Sequence, residues 1–157
     1  LCPQYPYDDH MRALKNLPDQ LNLSDFEDKS LLILDDDDPL RGRLARAMEK
    51  KGFRVKEAKT VAEGLNIVKT TPPSFACVDL RLEDGNGLDV IKALTKNKKD
   101  SRIVMLTGYG NLPTAVAAVK AGAIDYIAKP VDADDVESAL LASPESKAKP
   151  PENPMSA

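Results

Sequence analysis

The sequence is short of the residues that build disulfide scaffolds, soft-metal centres and membrane anchors. Its two cysteines, Cys2 and Cys77, lie far apart, and no CxxC pair exists, which excludes a disulfide framework and a thiolate metal site. The single histidine, His10, stands in the N-terminal stretch, so a metal bound further along the chain must rely on oxygen ligands. No apolar run reaches the ~18 residues of a membrane span, and the first thirty residues lack a signal-peptide core. The expected location is cytoplasmic, with no membrane partner. Positive charge is not in excess either: 22 basic against 25 acidic residues leave a net charge of -3. That balance argues against a polyanion-binding face, so this polypeptide alone is a poor DNA binder.

Apolar material is sufficient, at 42% of 157 residues, for one domain with tails. Residues 1–30 show no sustained period and read as an N-terminal extension; either Met11 is the native start behind residues of foreign origin, or the segment is natural. Residues 143–157, "SPESKAKPPENPMSA", hold four prolines and almost nothing to bury, as in a semi-extended linker.

Between these tails, short apolar runs alternate with helical patterns, the signature of a parallel α/β sheet. Strands are expected at "LLILD" (31–35), "RVKEA" (54–58), "FACVD" (75–79), "RIVMLT" (102–107) and "IDYIA" (124–128). Asp38 is expected to cap the first helix, with Pro39 in its first turn and Leu40, Leu44, Ala47 and Met48 along one face. Thr60 with Glu63, and Asp132 with Asp135, have capping-box spacing, while Pro113 opens and Gly122 closes the fourth helix. The fold class is α/β, a (βα)5 unit with a central five-stranded parallel sheet. Its reactive groups should lie beyond the carboxyl ends of the strands.

That rule singles out Asp35 and Asp36 after the first strand, Asp79 after the third, Thr107 after the fourth and Lys129 after the fifth. Three converging carboxylates must bind a cation or have raised pKa values. Oxygen ligands alone favour Mg2+, with Mn2+ as the alternative. The set reads as a phosphoryl site, with a carboxylate nucleophile, a metal to neutralise charge, a hydroxyl hydrogen bond and a cationic contact.

With "LLILDD", "FACVDL", "VMLTG" and "DYIAKP" in this order at strand ends, the chain resembles the receiver domain of two-component response regulators, the flavodoxin-like or CheY-like fold, over residues 31–142. The resemblance implies Asp79 as phosphoacceptor and Mg2+ held by Asp36, Asp79 and the backbone carbonyl of Arg81, with Asp35 acting on the metal through water. It implies phosphoryl contacts from Thr107 and Lys129, a switch pair of Thr107 and Tyr126, and a Lys129–Pro130 bond that is often cis. Tyr126 could equally be ordinary packing. Arg81 and Tyr109 would stand where access of hydrolytic water is controlled, and Gly108 would leave room for the phosphoryl donor. The loop "LEDGNG" and a first-helix surface of Arg41, Arg43, Leu44 and Met48 would face the cognate sensor histidine kinase. Together with "RLEDGNGLDV" and "PPENPMSA", the pattern is similar to redox-responsive regulators of the PrrA, RegA and ActR type. A helix-turn-helix effector follows such a linker in that family, so residues 143–157 are expected to lead into a DNA-binding domain that this chain lacks. The implied function is a phosphoaspartate-accepting response regulator, not a turnover enzyme, which dimerises on phosphorylation and controls transcription.

The local readings of other residues are plainer. Asp37 reads as a solvated acid and Cys77 as a core residue whose buried thiol is inert. Two alternative functions remain: a stand-alone receiver acting by protein contact, and a haloacid dehalogenase-like phosphatase with Asp35 as nucleophile and Asp37 as general acid. The second requires further carboxylates after the lysine, where only a last helix and a proline-rich tail stand.

Overall fold

The computed structural model describes residues 21–108 and 112–142, and Asn22–Leu141 form one unit. Its elements run β1 (Ser30–Leu34), α1 (Asp38–Lys50), β2 (Arg54–Ala58), α2 (Val61–Thr70), β3 (Phe75–Asp79), β4 (Arg81–Leu82), β5 (Gly85–Asn86), α3 (Gly87–Asn97), β6 (Arg102–Thr107), α4 (Leu112–Ala121), β7 (Asp125–Ala128) and α5 (Ala133–Leu140). Five of the strands form a sheet in the order β2-β1-β3-β6-β7, every pairing parallel, and β4 with β5 makes a separate antiparallel pair.

Period-two alternation sorts the strand side chains between two apolar layers. Leu31, Ile33, Phe75, Cys77, Val104 and Leu106 join Leu40, Leu44 and Met48 of α1 and Val136 and Leu140 of α5. Leu32, Leu34, Ala76, Val78, Ile103 and Met105 join the helices α2, α3 and α4 on the opposite side. Burial on both faces explains why β1 and β3 read as unbroken apolar runs rather than alternating ones. Residues 22–30 add to this core: a single 3-10 turn spans Leu23–Asp25, and Phe26 lies edge-on to Phe75 at 5.0 Å.

Helix starts follow local polar chemistry. Asp37, not Asp38, caps α1, its Oδ1 accepting from Leu40 N at 3.1 Å, so Asp38 is the first helical residue. Pro39 tolerates either frame because the first-turn amides have no helical partner. Ala45 is buried in α1 and Ala47 only half-buried, so the apolar stripe widens on the Met48 side rather than the Leu40 side. Thr60 caps α2 by accepting from Glu63 N, but the Glu63 carboxylate accepts from Lys59 N rather than from Thr60 N. Asp132 caps α5 through Asp135 N. Gly122 ends α4 at φ 127°, in the left-handed region that favours glycine. The Lys129–Pro130 bond is cis.

Candidate functional site

Strand order reverses direction around β1, so the crevice at the carboxyl ends of β1 and β3 is where a doubly wound sheet can receive a ligand. Asp35 follows β1 there, Asp79 ends β3, Thr107 ends β6, and Lys129 directly follows β7. Register places them together: Asp79 pairs with Leu106, next to Thr107, and Lys129 N donates to Thr107 O at 2.8 Å. The five strand-end residues expected from the sequence thus occupy one end of the sheet, with Asp35, Asp79 and Thr107 buried.

The carboxylates form a tight group. One ligand oxygen from each of Asp35, Asp36 and Asp79 can lie within 4.8 Å of the other two. Lys129 Nζ stands 3.1 Å from Asp35 Oδ2 and 3.2 Å from Asp79 Oδ2, but only the second contact has hydrogen-bond geometry. Burial pushes the Asp79 carboxyl up to about 6, the negative charge of Asp35 adds to this, and Lys129 only partly offsets it. For Lys129, burial alone would lower the pKa; the charges of Asp79 and Asp35 outweigh it and hold the ammonium above its ordinary value.

Asp35 is fixed at almost every polar atom. Its N–H donates to Ala58 O at 3.1 Å, its Oδ1 accepts from Asp37 N at 2.9 Å, and its carbonyl accepts from Arg41 Nη1 at 2.8 Å. Oδ2 remains buried without a hydrogen bond. An all-oxygen donor set, with this oxygen held by no hydrogen bond and facing the Lys129 ammonium at 3.1 Å, fits a hard divalent cation.

The loop after Asp79 is shaped by close packing. Gly87 N donates to Leu80 O at 2.7 Å, and a Cβ at Gly87 would overlap the Asp79 carbonyl oxygen. Asp84 accepts from Val61 N at 2.7 Å and Ala62 N at 3.1 Å, tying this loop to the start of α2. Arg81 is exposed at the beginning of β4, and a Cβ at Gly108 would meet nothing within 4 Å. Tyr126 is 39% exposed on β7. Tyr109, His10, Met11 and the proline-rich segment lie outside the described residues.

Two expectations change. Leu44 and Met48 are buried in the core, so they cannot contribute to a docking face on α1. Arg41 turns inward to Asp35, Asp38 and Glu57 instead of outward. The sequence did mark Cys77 correctly: it is fully buried, and desolvation together with the nearby Asp35 and Asp79 charges raises its thiol pKa far above neutrality.

Comparison with known proteins agrees with this geometry. The family described as response regulator receiver domain matches residues 31–141. The photosynthetic apparatus regulatory protein RegA of Cereibacter sphaeroides is 61% identical over 130 residues, 83% of this chain and 71% of that protein. The acid tolerance regulatory protein ActR of Rhizobium meliloti is 59% identical, covering 83% of this chain and 67% of that protein. A crystallised response regulator of Burkholderia pseudomallei, with a phosphorylated aspartic acid, calcium ion and citrate, superposes with a TM-score of 0.71 at 37% identity, over 77% of this chain and 70% of that one. Asp37 is committed to its helix cap, and the dehalogenase-like alternative has no place beside these matches. The chain therefore belongs to the response regulator receiver domain family, in the RegA and ActR group of two-component regulators.

Proposed function

We propose that Asp79 is the phosphoacceptor, taking a phosphoryl group from the phosphohistidine of a sensor kinase or from a small donor such as acetyl phosphate. The convergence of Asp35, Asp36, Asp79, Thr107 and Lys129 carries this reading. An Asp79 oxygen attacks phosphorus and forms the new P–O bond, while the bond to the donor breaks and its electron pair leaves with the donor atom. With its pKa raised to about 6, Asp79 is mostly ionised at neutral pH and can act as the nucleophile.

Asp36, Asp79 and the Arg81 carbonyl, with Asp35 through water, would hold Mg2+, or Mn2+ in its place. Bound there, the ion would neutralise charge on the transferring oxygens. Lys129 would shift from the Asp35–Asp79 pair to a phosphoryl oxygen, and the Thr107 hydroxyl would take another. Later hydrolysis returns Asp79 and releases phosphate. The domain thus assists its own phosphorylation and dephosphorylation and is a switch rather than a turnover enzyme.

The output is read as movement of Thr107 toward the phosphoryl group, an inward turn of Tyr126, and homodimerisation through α4, β7 and α5. Exposed Val116, Val119 and Tyr126 on these elements support that surface. Residues 31–142 are taken as the receiver, 1–30 as an extension and 143–157 as the linker to a DNA-binding helix-turn-helix effector. Transcription control then places two effectors on adjacent half-sites. Intact-mass measurement with acetyl phosphate and Mg2+ tests the chemistry: wild type should gain one phosphoryl group and Asp79→Asn none. Wild type that gains none under these conditions contradicts the reading.

A further inference from the structure

Arg41 engages three acceptors in three directions. Nη1 donates to the Asp35 carbonyl at 2.8 Å, Nε to Glu57 Oε1 at 3.0 Å, and Nη2 lies 2.7 Å from Asp38 Oδ1. Its side chain is only 15% exposed. The first anchor is on Asp35 itself, Asp36 and Asp37 stand on the backbone between it and the third, and Glu57 belongs to the edge strand β2.

We propose that Arg41 is a positioning residue for the cation site, fixing through the Asp35 carbonyl and the Asp38 carboxylate the backbone that presents Asp35 and Asp36. The inference rests on the reading of these carboxylates, with Asp79, as a Mg2+ site. Four successive acids, Asp35 to Asp38, repel one another, and a loop held only by its own helix would relax to separate them. Arg41 opposes this relaxation from outside the loop. Asp35 holds Ala58 O with its N–H, Asp37 N with its Oδ1 and Arg41 with its carbonyl, while its Oδ2 has no hydrogen bond and faces the Lys129 ammonium at 3.1 Å. The Glu57 contact anchors the guanidinium to β2, so the loop is referenced to the sheet rather than to α1 alone. A planar fork can span these acceptors together; a single ammonium cannot. Arg41 is given no contact with the metal or the phosphoryl group, and its effect passes through the residues it holds.

The test compares full-chain wild type with Arg41→Leu, Arg41→Lys, Glu57→Gln and the Arg41→Leu/Glu57→Gln pair. It uses Mg2+ titration calorimetry on metal-free protein, thermal melts in chelator, and the Mg2+ dependence of phosphorylation by acetyl phosphate. Arg41→Leu should weaken Mg2+ binding about tenfold, as loss of a group that orients metal ligands does. Half-saturating Mg2+ should rise in parallel, while the rate at saturating Mg2+ stays within about twofold of wild type. Arg41→Lys should recover only part of the affinity. Glu57→Gln should cause a smaller loss, and the double variant should bind no worse than Arg41→Leu, because both act through one group. A lowered melting temperature with wild-type Mg2+ affinity would reduce Arg41 to a purely structural role and overturn the proposal. Full recovery in Arg41→Lys would replace positioning by charge alone, and overturn it too. Should Arg41→Leu fail to fold, wild-type affinity in Glu57→Gln has the same consequence. Wild type that binds no Mg2+ would instead remove the metal site itself, a result distinct from a variant that behaves like wild type.

Discussion

Asp79 makes the metal-free protein sensitive to pH in a direction that can be derived. Its folded pKa of about 6 exceeds the ordinary 3.8, so between these values the unfolded chain loses its proton and the native state keeps it. Stability therefore falls as pH rises through that window and stays lower above it. A displacement of one pH unit corresponds to about 1.4 kcal/mol, which makes the loss of order 3 kcal/mol for Asp79 in isolation. In chelator, Asp79→Asn should gain stability over wild type as pH is raised from about 4 to 7, by up to that amount, in urea unfolding. Mg2+ should reverse the trend, stabilising wild type more at pH 7.5 than at pH 5 and Asp79→Asn less at both. Gly87 is a second residue-scale case. Its missing side chain lets the loop pass against the Asp79 carbonyl, so Gly87→Ala should cost about 1–3 kcal/mol by overpacking and slow phosphorylation at fixed Mg2+.

At the scale of elements, β1, β3 and β6 were legible because burial on both faces leaves continuous apolar runs, and each run leads into a polar residue that the sheet brings to the site, Asp35, Asp79 and Thr107. The four acids after β1 were less so. Either Asp37 or Asp38 can cap a helix whose first turn holds Pro39, and only the acceptor geometry toward Leu40 N decides for Asp37. Asp37→Ala should therefore destabilise the fold by about 1 kcal/mol in urea, while Asp38→Ala leaves the cap intact. The β4–β5 pair escaped notice because two-residue strands carry no period, and "EDGN" reads simply as a turn. Arg41 was hidden for a different reason: two of its three partners are a backbone carbonyl and a residue on β2, and helical spacing reveals only the third, Asp38. Leu44 and Met48 could have been kept off the docking face from that same period, since they share the buried stripe with Leu40.

At the scale of the whole molecule, the proposed output requires that a change at the carboxyl ends of the strands reach a surface formed by α4, β7 and α5. Val116 and Val119 are 45% and 51% exposed there, with Lys120 beside them, a mixed apolar and charged face suited to self-association. Sedimentation should show more dimer with a beryllofluoride phosphoryl mimic than without it, and Lys120→Glu should reduce that gain; a fully modified protein that stays monomeric would remove the dimer from the account. The central claim, a metal-dependent phosphoacceptor at Asp79, is reached most directly by locating the acyl phosphate. Protein treated with acetyl phosphate and Mg2+ can be reduced with borohydride, which converts an aspartyl phosphate to homoserine, and then mapped by peptide mass spectrometry. The account predicts homoserine at position 79 alone, and its loss when Mg2+ is chelated; homoserine at position 35 or 36, or undiminished conversion in chelator, would contradict it.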